Sequence, residues 1–221
     1  FCCDPEQPYA EICGTVLAPQ AVLLHSDTCY FGVRFLPGYN PVLGSSEIMS
    51  QLVNHQIPLD ELIQDRRMLE GICGTTDFRK QIRAFMRSYM NIYRRVCPME
   101  HSNLLVLHSS NLLIRSAGSI SIEQLAEDTG YTARYIDRCF RNETGLSPKQ
   151  LAKIVRFQAA VSALNQNQHK GRSLTEIAAD LGYFDQSHFV HDFKAYTGLT
   201  PKKYQKLLLH DSFEEKLRIV Q

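Results

Sequence analysis

The residues best placed to do chemistry are arginines, histidines and polar side chains on two short segments of helical character. Advancing about 100° per residue from Ile136, Arg134, Asp137, Arg138 and Arg141 fall on the side opposite Ile136 and Phe140. On the second segment Ser187, Val190, His191 and Lys194 fall opposite Phe189 and Phe193. An arginine fork can bond guanine O6 and N7 together, and glutamine can do the same for adenine N6 and N7. Lys149, Lys153 and Arg156 share a third face at i, i+4 and i+7, a spacing suited to phosphate contacts. Such faces are also common as plain solvated surface. The elements that carry them decide between the two readings.

Those elements come in duplicate. From Ile122 the chain reads IEQLAEDTGYTARYIDRCFRNETGLSP, and from Leu174 it reads LTEIAADLGYFDQSHFVHDFKAYTGLTP. Ala126, Gly130, Tyr131, Gly145, Leu146 and Pro148 recur as Ala178, Gly182, Tyr183, Gly198, Leu199 and Pro201. Internal repetition constrains architecture before any single residue does. Each copy predicts a helix-turn-helix. Ile122, Leu125 and Ala126, or Ile177, Ala178 and Leu181, form the apolar stripe of the first helix. Gly130 and Gly182 make the turn, and Thr132 and Asp185 are the expected N-caps of the second helix. Its anchors are Ile136 and Phe140, or Phe189 and Phe193. Gly145 and Gly198 end it, and Ser147-Pro148 and Thr200-Pro201 open the next helix as N-cap plus N1 proline.

Between the copies, Pro148 to Leu164 has no internal Gly or Pro and predicts a helix of four to five turns. A polar break follows at Asn165–Arg172. Such a rod would hold two recognition helices in successive major grooves, about 34 Å apart. One chain could then read a long asymmetric site in double-stranded DNA.

Residues 119–206 resemble the DNA-binding domain of the AraC/XylS family of bacterial transcription regulators, most specifically over GYFDQSHFVHDFKAYTGLTPKKY, Gly182 to Tyr204. The resemblance implies that base contacts come from Arg134, Asp137 and Arg138 in the first copy. In the second they come from Gln186, Ser187, His188, Val190 and His191. Arg141, Lys149, Lys153, Arg156, Lys194, Lys202 and Lys203 are the expected phosphate contacts. It also implies RNA polymerase as a partner. Two positions depart from the family pattern. Asp137 is acidic, so it either accepts from a cytosine amino group or orients Arg138. His191 stands where many members carry arginine, which points to a second unit that grips the backbone more than it reads bases.

The chain carries a formal net charge of +1, and residues 119–206 hold twelve Lys and Arg against nine Asp and Glu. Binding that rests on phosphate neutralisation is therefore expected to be modest and salt-sensitive.

The first half predicts an α+β organisation. Strand-like segments are Glu11 to Leu17, Ala21 to Leu24 and Cys29 to Phe35, followed by helical ones near Glu47–Asn54, Leu59–Glu70, Thr76–Cys97 and Met99–Ala117. Leu104, Leu105, Leu107, Leu112 and Ile114 suggest a buried or pairing face in the last. The expected domains are a β-rich unit over 1–75, a helical linker over 76–118 with a hinge at Ala117-Gly118-Ser119, and an all-α double helix-turn-helix over 119–221. Phe31 to Ile63 resembles the sensor region of one AraC-type subgroup, which implies a cupin-like fold holding a small effector. About 45 residues are few for a closed barrel. Either strands precede Phe1, which is not an initiating methionine, or the sensor is reduced and contacts a partner instead.

Seven cysteines, Cys2, Cys3, Cys13, Cys29, Cys73, Cys97 and Cys139, form no paired C-x2-C pattern and are expected as reduced thiols. No catalytic set, metal set or cofactor is nominated. The chain lacks a phosphate-binding glycine loop, a metalloprotease helix and a nucleophile elbow. It also lacks a long apolar run or signal peptide, so a cytoplasmic monomer or homodimer without membrane contact is expected. The leading expectation is a regulator with an effector-sensing N-terminal domain. The alternatives are a regulator governed by protein partners, and a DNA-repair protein using Cys2, Cys3 and Cys13 as zinc ligands and methyl acceptor.

Overall fold

A computed structural model describes residues 1–20, 22, 24–25, 28–37, 46–63, 65–96, 101–167 and 171–209 of the 221-residue chain. The described residues fall into two compact units. The first gathers those within Phe1–Thr15, Leu23–Leu107 and Arg138–Leu146; the second gathers those within Val16–Val22 and His108–Asp137, and from Ser147 on.

In the first unit β1 (Cys2–Cys3) pairs antiparallel with β3 (Cys29–Tyr30), with Cys2 opposite Tyr30 and Cys3 opposite Cys29. A second ribbon pairs β2 (Glu11–Cys13) antiparallel with β4 (Gln56–Pro58), with Ile12 opposite Ile57. Helices α1 (Ser46–Leu52), α2 (Leu59–Leu62), α3 (Arg66–Cys73) and α4 (Phe78–Val96) follow. The core is aromatic. Phe31, Met68, Ile72 and Phe85 are buried, with Phe1, Phe35 and Tyr89 against them. Phe85 and Tyr89, one turn apart on α4, stack at 5.5 Å.

The β-rich expectation needs correction here. Among the described residues, only Glu11–Cys13 and Cys29–Tyr30 of the expected strands form; Ala21 and Leu23 lie outside the described residues. Two ribbons of two or three residues per strand cannot close a barrel, and no cupin-like fold appears among the described residues. The expected helix over Leu59–Glu70 is broken. The chain turns extended at Ile63, and the Asp65 carboxylate restarts it by accepting from the Arg67 N–H at 3.1 Å. Cys3 and Cys73 form a disulfide tying β1 to α3, so these two are not the free thiols expected.

Helix α5 (His101–Arg115) buries Leu105, Val106, Ser109, Ser110 and Leu113, while Leu104 and Ile114 are exposed. Its apolar face therefore differs from the one expected. No helix among the described residues is long and apolar enough to cross a membrane.

The second unit holds α6 (Ile122–Thr129), α8 (Pro148–Gln166), α9 (Leu174–Asp180), α10 (Gln186–Thr197) and α11 (Pro201–Leu209). Helix α7 (Ala133–Thr144) is divided between the units after Asp137. Three helices start with full capping boxes: Ser121 with Gln124 on α6, Ser147 with Gln150 on α8, and Ser173 with Glu176 on α9. In each, hydroxyl and N3 side chain satisfy two backbone donors reciprocally. Gly130 and Gly198 close α6 and α10 in the left-handed conformation, at φ 73° and 72°. The core joins Ala160 and Leu164 of α8 to Ile177, Ala178, Tyr183, Phe189, Phe193 and Tyr204, all buried.

The expected hinge at Ala117-Gly118-Ser119 is a packed turn. Gly118 has φ +75°, and a Cβ there would lie 2.2 Å from the Ala152 carbonyl oxygen. Its own carbonyl accepts from the Arg156 guanidinium at 2.6 Å. The chain thus passes from α5 into the repeats without a loose linker at this point.

Candidate nucleic-acid interface

Each second helix of the repeat is oriented by what it buries. On α7, Ile136 and Phe140 are fully buried, and Cys139 nearly so. Arg134, Arg138 and Arg141 are consequently exposed, and Asp137 is half-buried. Thr132 caps the helix by accepting from the Tyr135 N–H at 3.3 Å. At its other end the Thr144 hydroxyl donates to the Phe140 carbonyl at 2.7 Å and accepts from the Leu146 N–H at 3.2 Å.

Helix α10 repeats this plan. Phe189 and Phe193 are fully buried and meet edge to face at 5.9 Å. Asp185 accepts from the His188 N–H at 2.7 Å. The Thr197 hydroxyl donates to the Phe193 carbonyl at 2.9 Å and accepts from the Leu199 N–H at 3.1 Å. Gln186, Ser187, His188, His191 and Lys194 are exposed, and Val190 is half-buried.

Several of these side chains have neighbours that aim them. The Thr175 hydroxyl donates to Gln186 Oε1 at 2.7 Å, tying the first residue of α10 to α9. His188 meets the Tyr183 ring edge-on at 5.4 Å, and its Nε2 lies 3.6 Å from Asp192 Oδ2. His191 Nδ1 lies 3.8 Å from the other Asp192 oxygen, with the imidazole side chain 85 % exposed. Asp192 is thus placed to orient both rings. Burial, with Asp192 beside it, pushes the Tyr183 hydroxyl up to about 12, so the phenol stays neutral and serves as packing.

Among the expected phosphate contacts, Lys149, Lys153, Lys194, Lys202 and Lys203 are exposed. Lys149 neighbours Glu123, whose carboxyl is held low by hydrogen bonds from backbone and Ser121, with a smaller contribution from the lysine. Arg156 departs from its expected role. It is half-buried, donates to Gly118 O, and lies over the Tyr183 ring at 5.4 Å from the centroid. A guanidinium spent on a backbone carbonyl and an aromatic face holds the fold together.

One exposed residue beside this face carried no signal that sequence reasoning used. Phe184, in the turn that leads into α10, is 92 % exposed. An unburied aromatic inside the most family-like segment was the available clue. The cysteines of the repair reading are not assembled as a site: Cys3 is bonded to Cys73, Cys2 is buried, and no cluster of three or more His, Cys, Asp or Glu among the described residues could hold a metal.

A helix-turn-helix domain model matches residues 99–207. An HTH-type transcriptional regulator of Haemophilus influenzae is 38 % identical over 85 residues, which is 38 % of this chain and 28 % of that one. The HTH-type transcriptional activator AarP of Providencia stuartii is 29 % identical over 104 residues, 47 % of this chain and 72 % of AarP. The XylDLEGF operon transcriptional activator of Pseudomonas putida is 29 % identical over 83 residues, 38 % of this chain and 26 % of that one. The chain thus spans only about a quarter of the length of two of these three relatives. Among solved structures, the C-terminal domain of AraT, a response regulator from Geobacillus stearothermophilus, matches over 52 % of this chain and 93 % of that one. Its identity of 20 % and TM-score of 0.43 make that likeness too loose to argue from. Residues 99–207 thus match a helix-turn-helix domain, and the relatives similar to this stretch are named as HTH-type transcription regulators.

Proposed function

We propose that the chain is a sequence-specific transcription regulator of the AraC/XylS type, with α7 and α10 each entering a major groove. Arg134, Asp137 and Arg138 of α7 contact base edges, as do Gln186, Ser187, His188, Val190 and His191 of α10. Arg141, Lys149, Lys153, Lys194, Lys202 and Lys203 hold phosphates. Phe184 adds an apolar contact of the kind that suits a thymine methyl. One observation carries the reading: in both copies the paired core anchors are fully buried, which leaves the opposite, polar face of each helix pointing outward.

The remaining parts of the proposal rest on resemblance. The first unit senses a small effector or a protein partner, and the DNA-bound chain acts on RNA polymerase in the cytoplasm as a monomer or homodimer. The names of two relatives, both transcriptional activators, favour activation.

Selection of binding sites from random duplex DNA tests the proposal, run at about 100 mM salt and again at higher salt, where nonspecific contacts fade. An enriched asymmetric site with two separate elements supports both helices as readers. A single element would leave α10 as an anchor only, and no enrichment with or without the first unit's ligand would overturn the reading.

A further inference from the structure

A cleft of about 940 Å³ opens in the first unit, between Leu62, Ile63 and the first residues of α3 on one side and one face of α4 on the other. Its volume lies within the range typical of small-molecule sites. Its lining is what sets it apart. Arg66 and Arg67 stand on one wall, Arg87 and Arg95 on the other, and only Asp65 brings a negative charge.

The placement follows from both helices. Asp65 caps α3 and so fixes Arg66 and Arg67 at its first turn. On α4, Arg87, Asn91 and Arg95 recur every fourth residue on one face, spanning roughly 12 Å along the axis. Ser88, 8 % exposed, lies beside them. The two helices come close at Gly71, where an added Cβ would lie 3.2 Å from the Ala84 Cβ. The cleft widens from that contact towards the arginines.

Charge makes the case stronger. Helix α4 carries Arg79, Lys80, Arg83, Arg87, Arg94 and Arg95 and no acidic residue. Among the described residues, none of the four lining guanidiniums is engaged by a carboxylate. Four like charges around one concavity repel one another, and an anion relieves that repulsion. Guanidinium forks match carboxylate and phosphoryl oxygens bidentately, whereas they offer nothing to an apolar ligand.

We infer that this cleft is a binding site for a small organic anion carrying at least two carboxylate or phosphoryl groups. It lies among helices, outside the strands where the sequence led us to expect a sensor pocket. The site itself stands whether or not the chain reads DNA; only its use in regulation rests on that reading.

Titration calorimetry on the full chain provides the test, with citrate and inorganic pyrophosphate as probes and sodium chloride at matched ionic strength as control. Saturable one-site binding of at least one probe is expected, and which of the two binds separates a carboxylate site from a phosphoryl site. The double substitution Arg87→Gln with Arg95→Gln changes two exposed helix positions and leaves the core intact. It should weaken that binding by at least about tenfold. Absence of saturable binding for both probes overturns the inference, as does unchanged affinity in the folded double variant. If the substitutions spare anion binding and instead flatten the salt dependence of duplex binding, the arginines belong to a DNA phosphate footprint and the inference fails.

Discussion

Replacing Arg156 by alanine separates two roles that a basic stripe on a helix can play. The wild-type guanidinium donates to the Gly118 carbonyl at 2.6 Å and lies over the Tyr183 ring. A hydrogen bond from a charged donor contributes about 1.5–3 kcal/mol, and the ring contact about 0.5–1 kcal/mol. Removal also takes away Nε, which is buried without a partner and whose desolvation offsets part of that gain. The net loss should be about 1–3 kcal/mol. For a unit of this size that lowers the melting temperature by several degrees. Thermal unfolding and the salt dependence of duplex binding are then measured on the same protein. The slope of log K against log[salt] should stay at its wild-type value, because no phosphate contact is lost. Lys149→Ala should do the reverse, leaving stability within about 0.5 kcal/mol and reducing the slope by about one unit. An Arg156→Ala protein with unchanged stability and a slope shallower by about 0.9 would refute the assignment, since it would place Arg156 on a phosphate.

Three further outcomes follow from the geometry. Arg138→Ala, on the exposed face of α7, should cost about 1–3 kcal/mol at one base position and relax specificity there, as read by competition among single-base site variants; a uniform loss across all variants would move Arg138 to the backbone. Burial raises the hydroxyls of Tyr183, to about 12, and of Tyr196 and Tyr204, so folding favours their neutral forms. Because the folded values lie above the unfolded value near 10, that stabilisation is complete below about pH 10 and drains as pH rises through the folded values, which for Tyr183 means through about 12. Phenolate absorbance of an intact fold saturating near pH 10 would contradict it. Reduction of Cys3–Cys73, or their joint replacement by serine, releases a link across 70 residues of sequence. It should destabilise the first unit by roughly 2–4 kcal/mol. A wild-type protein whose unfolding ignores reductant, and whose Cys3 and Cys73 alkylate freely, would rule the bond out.

What was legible in the sequence was local. Thr132, Asp185, Ser147-Pro148 and Thr200-Pro201 act within a few residues of themselves, so residue type alone announces the helix starts they make. The same holds for the glycines that close α6 and α10, and for the three Ser-x-x-Gln/Glu boxes, which the sequence displays but which need the structure to show both bonds made. What escaped reading depends on distant partners. The segment from Glu11 to Leu17 reads as a strand, yet a strand needs a neighbour, and its Glu11–Cys13 part finds one in Gln56–Pro58, a segment whose proline argues against pairing. Cys3 and Cys73 carry no mark that links them. Arg156 shares a face with Lys149 by spacing, and only the incoming Gly118 turn reveals why it points elsewhere. The arginine cleft is illegible for the same reason: Arg66 and Arg87 become neighbours only once α3 packs on α4.

The paired threonines have a wider consequence. Thr144 and Thr197 clasp the ends of α7 and α10 with the same two hydrogen bonds, although few of the outward residues between cap and clasp agree. A helix gripped at both ends and bolted through two aromatic or aliphatic anchors cannot rotate to suit a new neighbour. Its outer positions are therefore free to mutate without disturbing what lies beneath them. Duplication of such a module yields two independently rewritable labels on an unchanging mount. Recombining the outer residues of one copy into the other should transplant a binding preference without redesigning the protein that displays it.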